Sequence, residues 1–135
     1  MPTIRVERKV LDVISDEAEN LAPHEACGLL AGRDGIIQRA YPATNAAQDS
    51  KSRYEIAPEE LFRLMRSIRD AGLELLGIYH SHPHSENVPS GHDIERAFYP
   101  EAAYFILSPH SRTAKPVRAY SIRNGQAIEM EVEAE

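Results

Sequence analysis

The sequence has little of what several protein classes require. Its single cysteine, Cys27, excludes an internal disulfide framework and a cysteine-rich zinc module. No apolar run approaches the roughly 18 residues of a transmembrane helix, and the charged N-terminal stretch lacks the apolar core of a secretory signal. Basic residues number 15 against 21 acidic ones, which argues against nucleic-acid binding. We therefore expect a cytoplasmic protein whose partners include neither a membrane nor a nucleic acid.

The composition and length indicate one ordinary globular domain. Hydrophobic residues make up 42% of the chain and charged residues 27%, as is typical of soluble domains. Two independent cores would be hard to build from 15.1 kDa. No internal repeat, low-complexity stretch or proline-rich linker marks a boundary. We therefore place a single domain over residues 1–135.

Hydrophobic periodicity predicts that strands and helices alternate along the chain. A helix runs from Val10 to Leu21, a second begins near Pro58 and ends near Gly72, and a short third begins at Ser90. Tight hairpin turns are predicted where Asp or Asn precedes Gly, after residues 33 and 123. This mixture predicts a mixed sheet with helices packed on it. The predicted strands are Thr3–Val6, Ala26–Arg33, Ile36–Ala43, Tyr54–Ile56, Leu73–His82, Ala103–Ser108, Val117–Arg123 and Gln126–Val132.

A group of histidines closes the predicted strand that ends at residue 82. Residues two apart on a strand point to the same face, so His80 and His82 are aimed at one point, as a metal ion requires. Asp93 follows across a loop that can fold back. Two imidazoles and a carboxylate suit Zn²⁺, and three protein ligands leave a fourth position for water. That arrangement is typical of a catalytic zinc rather than a structural one.

Each part of this pattern also has a simpler explanation when it is taken alone. Histidines two apart are common on protein surfaces. Ser90 and Asp93 fit a helix capping box. His84 and His92 would ordinarily be solvated loop residues, and Glu25 would be a solvated acid at the start of a strand.

The whole string is more specific than its parts. His80-Ser81-His82-Pro83, six residues, Ser90, two residues and Asp93 resembles the signature of the JAMM (MPN+) metalloprotease family, with no departure in spacing. The stretch Glu25-Ala26-Cys27-Gly28-Leu29-Leu30 is similar to the upstream family element that carries a catalytic glutamate. Asn45 and the run Tyr54-Glu55-Ile56-Ala57-Pro58 are further similarities. The resemblance covers most of the chain, from about Val6 to Ile122.

The resemblance implies a role for each residue of the string. His80, His82 and Asp93 would bind one Zn²⁺ per chain, and Glu25 would act as general base toward the attacking water. Ser90 would donate a hydrogen bond to the oxyanion of the tetrahedral intermediate. The implied reaction is hydrolysis of a peptide or isopeptide bond without a covalent intermediate. The implied fold is α/β, a mixed curved sheet sandwiched by helices, similar to that of cytidine deaminases.

The resemblance also narrows the substrate. The predicted loop Pro83–Pro89 is too short for the insertions with which eukaryotic relatives grip ubiquitin, so the chain resembles the compact prokaryotic subgroup. The run Tyr99-Pro100-Glu101-Ala102-Ala103-Tyr104 is similar to enzymes that act on ubiquitin-like sulfur-carrier proteins. Cleavage after the C-terminal Gly-Gly of such a partner is implied, with the extended tail paired to an exposed strand edge. The oligomeric state is left open, with a homodimer as one alternative.

Three other classes of function stay open at this point. A non-catalytic MPN-type module that binds a ubiquitin-like partner would share the fold, although the complete ligand set and Glu25 argue against it. A non-haem iron oxygenase also uses two histidines and a carboxylate, but it usually has an all-β barrel without preceding amphipathic helices. A nucleobase deaminase would need a pair of cysteine ligands. Cys27 stands alone and is expected to be a small buried hydrophobe rather than a nucleophile.

Overall fold

The computed structural model describes residues 1–109 and 114–135. Within these ranges no helix is long and apolar enough to cross a membrane. The helices are α1 (Arg8–Leu21), α2 (Pro58–Asp70) and α3 (Gly91–Glu95). The strands are β1 (Thr3–Val6), β2 (Cys27–Arg33), β3 (Ile36–Ala43), β4 (Glu74–Ser81), β5 (Ala103–Leu107), β6 (Val117–Arg123) and β7 (Gln126–Ala134).

The strands form one mixed sheet that closes on itself. Its order is β1-β3-β2-β4-β5-β6-β7, and β1 returns to pair with β7. β1 is parallel to both of its neighbours, β4 is parallel to β5, and the other pairs are antiparallel. The predicted mixed, curved sheet is therefore confirmed, and its curvature is complete. Every described strand has two neighbours, but the pairing of β3 is partial: β1 meets it only at Ile36 and Ile37, so residues 38–43 pair with β2 alone.

Helices cover the two faces of the sheet. Successive strand residues point to opposite faces, so Tyr79 and Phe105 pack with Ile14 of α1 in one hydrophobic cluster. The neighbouring residue Ile78 packs with Ile68 of α2 in a second cluster. The apolar stripes of the two helices are thus buried against different sides of the same strands. The predicted sandwich of helices around a sheet is confirmed.

Both hairpin turns lie where the sequence predicts them, and their residues have the backbone angles that such turns need. Asp34 and Gly35 have φ values of 55° and 75°, and Asn124 and Gly125 have 54° and 75°. Positive φ at both central positions is the requirement of a type I′ turn, whose twist matches that of the flanking strands. Gly72, with φ of 72°, follows the end of α2 as predicted.

The predicted strand Tyr54–Ile56 is wrong. These residues form no strand, and no neighbouring strand pairs with them. Its main chain is bonded instead to the loop after β3: the N–H of Ala46 donates to the carbonyl of Glu55, and the N–H of Glu55 donates to the side chain of Asn45. A side-chain partner of this kind leaves no periodic signal in the sequence.

β2 lies so close to its neighbours that Gly28 has no room for a side chain. A Cβ atom there would lie 2.5 Å from the carbonyl oxygen of Tyr41 and 2.6 Å from the phenol oxygen of Tyr79. That phenol is fixed in turn, since it donates a hydrogen bond of 2.8 Å to the carboxylate of Glu17 on α1. The strand that leads from Glu25 into the sheet therefore tolerates only glycine at this position.

We predict that Gly28→Ala lowers the free energy of unfolding by about 1–3 kcal/mol, because the added methyl overpacks this contact. Gly91→Ala is the matched control, since a Cβ there meets no atom within 4 Å, and it should change stability by less than about 0.5 kcal/mol. Urea denaturation of both variants measures the difference. Equal losses would contradict this account of the β2 packing.

Candidate metal centre and catalytic base

His80 and His82 lie where the C-terminal end of β4 meets the beginning of β2. His80 is on the strand, opposite Cys27. His82 follows the last strand residue, but its N–H still donates to the carbonyl of Leu107 on β5 at 2.7 Å. The chain therefore stays extended through both residues, and the two rings reach the same side of the sheet. Both residues are buried, at 1% and 6% exposure.

The third side chain of the group, Asp93, lies on α3. Ser90 caps this helix: its Oγ accepts from the N–H of Asp93 at 3.1 Å, and its own N–H donates to Oδ2 of Asp93 at 2.9 Å. The predicted capping box is confirmed. It does more than begin the helix, because it also holds the Asp93 carboxylate that faces the two histidines. The Ser90 hydroxyl uses an oxygen lone pair in this contact and keeps its hydrogen for another acceptor.

The three side chains converge on one point. Nε2 of His80 and Nε2 of His82 are 3.1 Å apart. The Asp93 carboxylate places Oδ1 3.2 Å from the first of these nitrogens and Oδ2 3.1 Å from the second. Two ligands about 2.1 Å from a shared ion lie about 3.0–3.4 Å apart, depending on the angle between them. The separations therefore fit a single divalent transition-metal ion.

The protonation states of His80, His82 and Asp93 depend on one another. Nδ1 of His82 lies 2.8 Å from the carbonyl of Glu86 and donates to it, so Nε2 is the nitrogen that could bind a metal once its proton is lost. Burial lowers the pKa of His80 and favours its neutral form. Burial alone would raise the pKa of Asp93, but hydrogen bonds from His80 and His82 hold it well below its usual range. Burial alone would lower the pKa of His82, but its hydrogen bonds to Asp93 and Glu86 raise it. A cation bound at Nε2 would therefore replace a proton that this ring shares with Asp93.

Glu25 stands beside this group, just before β2. It is 4% exposed. Burial raises its pKa to about 7, and among the neighbouring charges His82 lowers the pKa while Asp93 raises it. A carboxyl group that titrates near neutral pH can both take up and release a proton under ordinary conditions. The environment of Glu25 therefore suits a general base.

The remaining candidates occupy less reactive positions. His84 is exposed and His92 half-buried, and neither belongs to the His80, His82 and Asp93 group, the one such group among the residues that the structure describes. Cys27 is fully buried, and burial raises the pKa of its thiol to about 12. A thiol in that state is a poor nucleophile, so the expectation of a small buried hydrophobe is confirmed.

Sequence reasoning did not predict the tyrosine ring that packs against the site. The ring of Tyr54 stacks on the ring of His80, with centroids 4.5 Å apart and planes 21° from parallel. The strand predicted for the segment that carries Tyr54 gives no reason to place this ring near the histidines. The only available signal was the run Tyr54-Glu55-Ile56-Ala57-Pro58, and it gives no direction for the side chain.

Known proteins resemble the chain across most of its length. The family described as prokaryotic homologs of the JAB domain matches residues 7–123. A desampylase of Haloferax volcanii is 42% identical over 92 residues, which are 67% of this chain and 66% of the relative. A CysO-cysteine peptidase of Mycobacterium tuberculosis is 36% identical over 109 residues, 79% of this chain and 74% of the relative. A probable TtuB-protein conjugate cleaving protease of Thermus thermophilus is 33% identical over 111 residues, 82% and 70% of the two chains.

Solved structures agree on the architecture. A protein of Desulfitobacterium hafniense superposes with a TM-score of 0.85 at 31% identity, covering 100% of this chain and 93% of the other. A JAB1/MPN domain protein of Archaeoglobus fulgidus gives a TM-score of 0.63 at 20% identity. The match covers 96% of this chain and 99% of the other. At that identity the second likeness shows the fold alone.

The raised pKa of Glu25 predicts how the stability of the metal-free protein depends on pH. Between its ordinary pKa of 4.5 and about 7, the folded state holds more protons at this carboxyl than the unfolded chain does. The free energy of unfolding that it contributes therefore falls as the pH rises through this window. Glu25→Gln cannot ionise, so the stability of the variant relative to wild type should increase by about 1–3 kcal/mol between about pH 4 and about pH 8.

Chemical denaturation of both proteins in the presence of a chelator measures this difference. A difference that stays constant across the pH range would show that Glu25 titrates alike in the folded and unfolded states.

Proposed function

Because the chain belongs to the family of prokaryotic JAB-domain homologues, we propose that this JAMM-type peptidase uses zinc to cleave a peptide or isopeptide bond. The scissile bond follows the C-terminal Gly-Gly of a ubiquitin-like or sulfur-carrier protein. The observation that carries the proposal is the convergence of His80, His82 and Asp93 beside the buried Glu25. The relatives named CysO-cysteine peptidase and TtuB-protein conjugate cleaving protease favour a protein conjugate as the substrate class.

His80, His82 and Asp93 would hold the metal through Nε2, Nε2 and a carboxylate oxygen. Nitrogen and oxygen ligands of this kind suit zinc, and the resemblance to the JAMM signature favours zinc over iron. Zn²⁺ bound there would supply a Lewis acid that lowers the pKa of a coordinated water toward about 7. The hydrogen bond from His82 to the carbonyl of Glu86 would keep that ring oriented as a ligand.

Glu25 and Ser90 would carry the proton transfer and the charge stabilisation. Glu25 would accept a proton from the water as its oxygen bonds to the substrate carbonyl carbon. It would then deliver that proton to the leaving nitrogen as the carbon–nitrogen bond breaks. The hydrogen of the Ser90 hydroxyl remains available in the capping box, so Ser90 would donate it to the carbonyl oxygen as negative charge develops. Water is thereby divided between the two products, and no covalent bond to the protein forms.

We predict about one zinc ion per chain in protein purified without chelator. His80→Ala or Asp93→Ala should lose the ion, because each removes one of three protein ligands. His84→Ala is the control, since this exposed histidine lies outside the cluster. Elemental analysis of the purified proteins measures the stoichiometry. Wild-type protein that carries no transition metal and gains none on incubation with zinc would refute the proposal.

We predict that Glu25→Gln retains zinc and the fold but lowers kcat by roughly 10²–10⁴-fold. The amide is nearly isosteric with the carboxylate and cannot accept the proton of water. Steady-state kinetics on a carrier protein extended by cysteine at its C-terminus, together with elemental analysis and a melting curve, separates chemistry from folding. Full activity in this variant would show that another group is the base.

We predict that the substrate tail must be narrow at the cleavage site. The side chains of the three proposed ligands are only 1–8% exposed, so a residue with a bulky side chain should clash as it approaches them. A clash of about 1–3 kcal/mol corresponds to a loss of about 5- to 150-fold in kcat/KM. The test compares the cysteine-extended carrier with the same carrier bearing leucine at its penultimate glycine. Equal rates would rule out this steric selection and leave a less selective peptidase.

A further inference from the structure

Asn45 lies in the loop between β3 and α2, and its side chain is the hub of that loop. The amide oxygen accepts two main-chain N–H groups, while the amide nitrogen faces three main-chain carbonyls. A primary amide has two hydrogens and two lone pairs, so this side chain uses its full capacity. The donors are Ala47 at 3.0 Å and Glu55 at 3.2 Å, and the acceptors are Glu25 at 3.1 Å, Arg53 at 2.9 Å and Ser50 at 3.4 Å.

One end of this network fixes the main chain of the proposed base. Glu25 precedes β2, so the strand ladder does not hold it. Its carbonyl accepts from Asn45, and its N–H donates to the carbonyl of Ser50 at 2.7 Å. Both main-chain groups of Glu25 are therefore bonded to residues 45–50. The loop therefore fixes the main-chain groups of Glu25, while the next residue, Ala26, is bonded to Ser81 of β4.

The other end fixes the ring that packs on a proposed metal ligand. Asn45 bonds to the carbonyl of Arg53 and to the N–H of Glu55, the two residues that flank Tyr54. Tyr54 is thus held on both sides by one side chain, and its ring stacks on His80 at 4.5 Å. The same amide reaches Glu25 and the Tyr54 segment, which are far apart in sequence.

We propose that Asn45 is a positioning residue that holds Glu25 and the Tyr54 ring at a fixed separation around the metal centre. It acts through these two residues, since none of its hydrogen bonds reaches the metal-ligand cluster itself. The inference rests on the proposed function in giving Glu25 and His80 their roles. Two variants separate its bonds: Asn45→Ala removes all of them, while Asn45→Asp keeps the acceptor and places a carboxylate against three carbonyl oxygens.

The first experiment tests the coupling without activity. Amide hydrogen exchange is measured on the full chain, metal-free and zinc-loaded, for wild type, Asn45→Ala and the exposed loop control Gln48→Ala. Asn45→Ala should speed exchange at Glu25 and at Glu55 by about tenfold or more, because both ends of the network open together. Exchange within β4 should be unchanged, and Gln48→Ala should resemble wild type. Unchanged exchange, or faster exchange at only one end, would overturn the proposal.

The second experiment tests the catalytic consequence on the cysteine-extended carrier. Asn45→Ala and Asn45→Asp should lower kcat by about 10- to 100-fold, with KM within about threefold of wild type and zinc still near one per chain. In a Glu25→Gln background, Asn45→Ala should lower the residual kcat by less than about threefold, because the base is already missing. Equal losses in both backgrounds, or a kcat within twofold of wild type in the single variant, would contradict a positioning role. Inactive wild-type protein would instead refute the proposed function, and the exchange data would still decide the coupling.

Discussion

The site depends on the antiparallel register of β2 against β4. This register pairs Cys27 with His80 and so brings the start of one strand beside the end of the other. The pairing continues beyond the strand: the N–H of Ser81 donates to the carbonyl of Ala26, and Oγ of Ser81 accepts from the N–H of Ala26. A slip of one residue would turn His80 to the opposite face of the sheet. Strand pairing thus brings the start of β2 to the metal ligands, and the loop of residues 45–50 then fixes the main chain of Glu25.

Two buried carboxyl groups differ because their surroundings differ. Asp93 lies within hydrogen-bonding distance of two imidazoles and is capped by the N–H of Ser90, so it stays ionised despite its burial. Glu25 lies near the same groups, but burial is the largest influence on its pKa and raises it to about 7. Environments that push apart the pKa values of two like groups are a usual way to give them separate roles in acid–base chemistry. Here one carboxyl suits cation binding and the other suits proton transfer.

The sequence predicts the features that rest on local rules. Asp34-Gly35 and Asn124-Gly125 specify their turns through positive φ, and the spacing of His80 and His82 on an extended chain predicts two rings on one side. Features that rest on distant partners are not predicted. The closing of the sheet depends on β1, four residues whose two neighbours lie far apart in the chain. The stacking of Tyr54 depends on hydrogen bonds from one side chain to irregular main chain, which has no periodicity to detect.

The closing pair also determines how the barrel resists mechanical tension. β1 and β7 run parallel, with Thr3 opposite Glu131 and Val6 opposite Ala134. A force that pulls Thr3 and Ala134 apart acts along the strands in opposite directions, so the hydrogen bonds between them carry it together in shear. In an antiparallel hairpin pulled at its open end, the bonds would break one after another. The strand pair that closes the sheet therefore also delays separation of β1 and β7 until several hydrogen bonds fail at once.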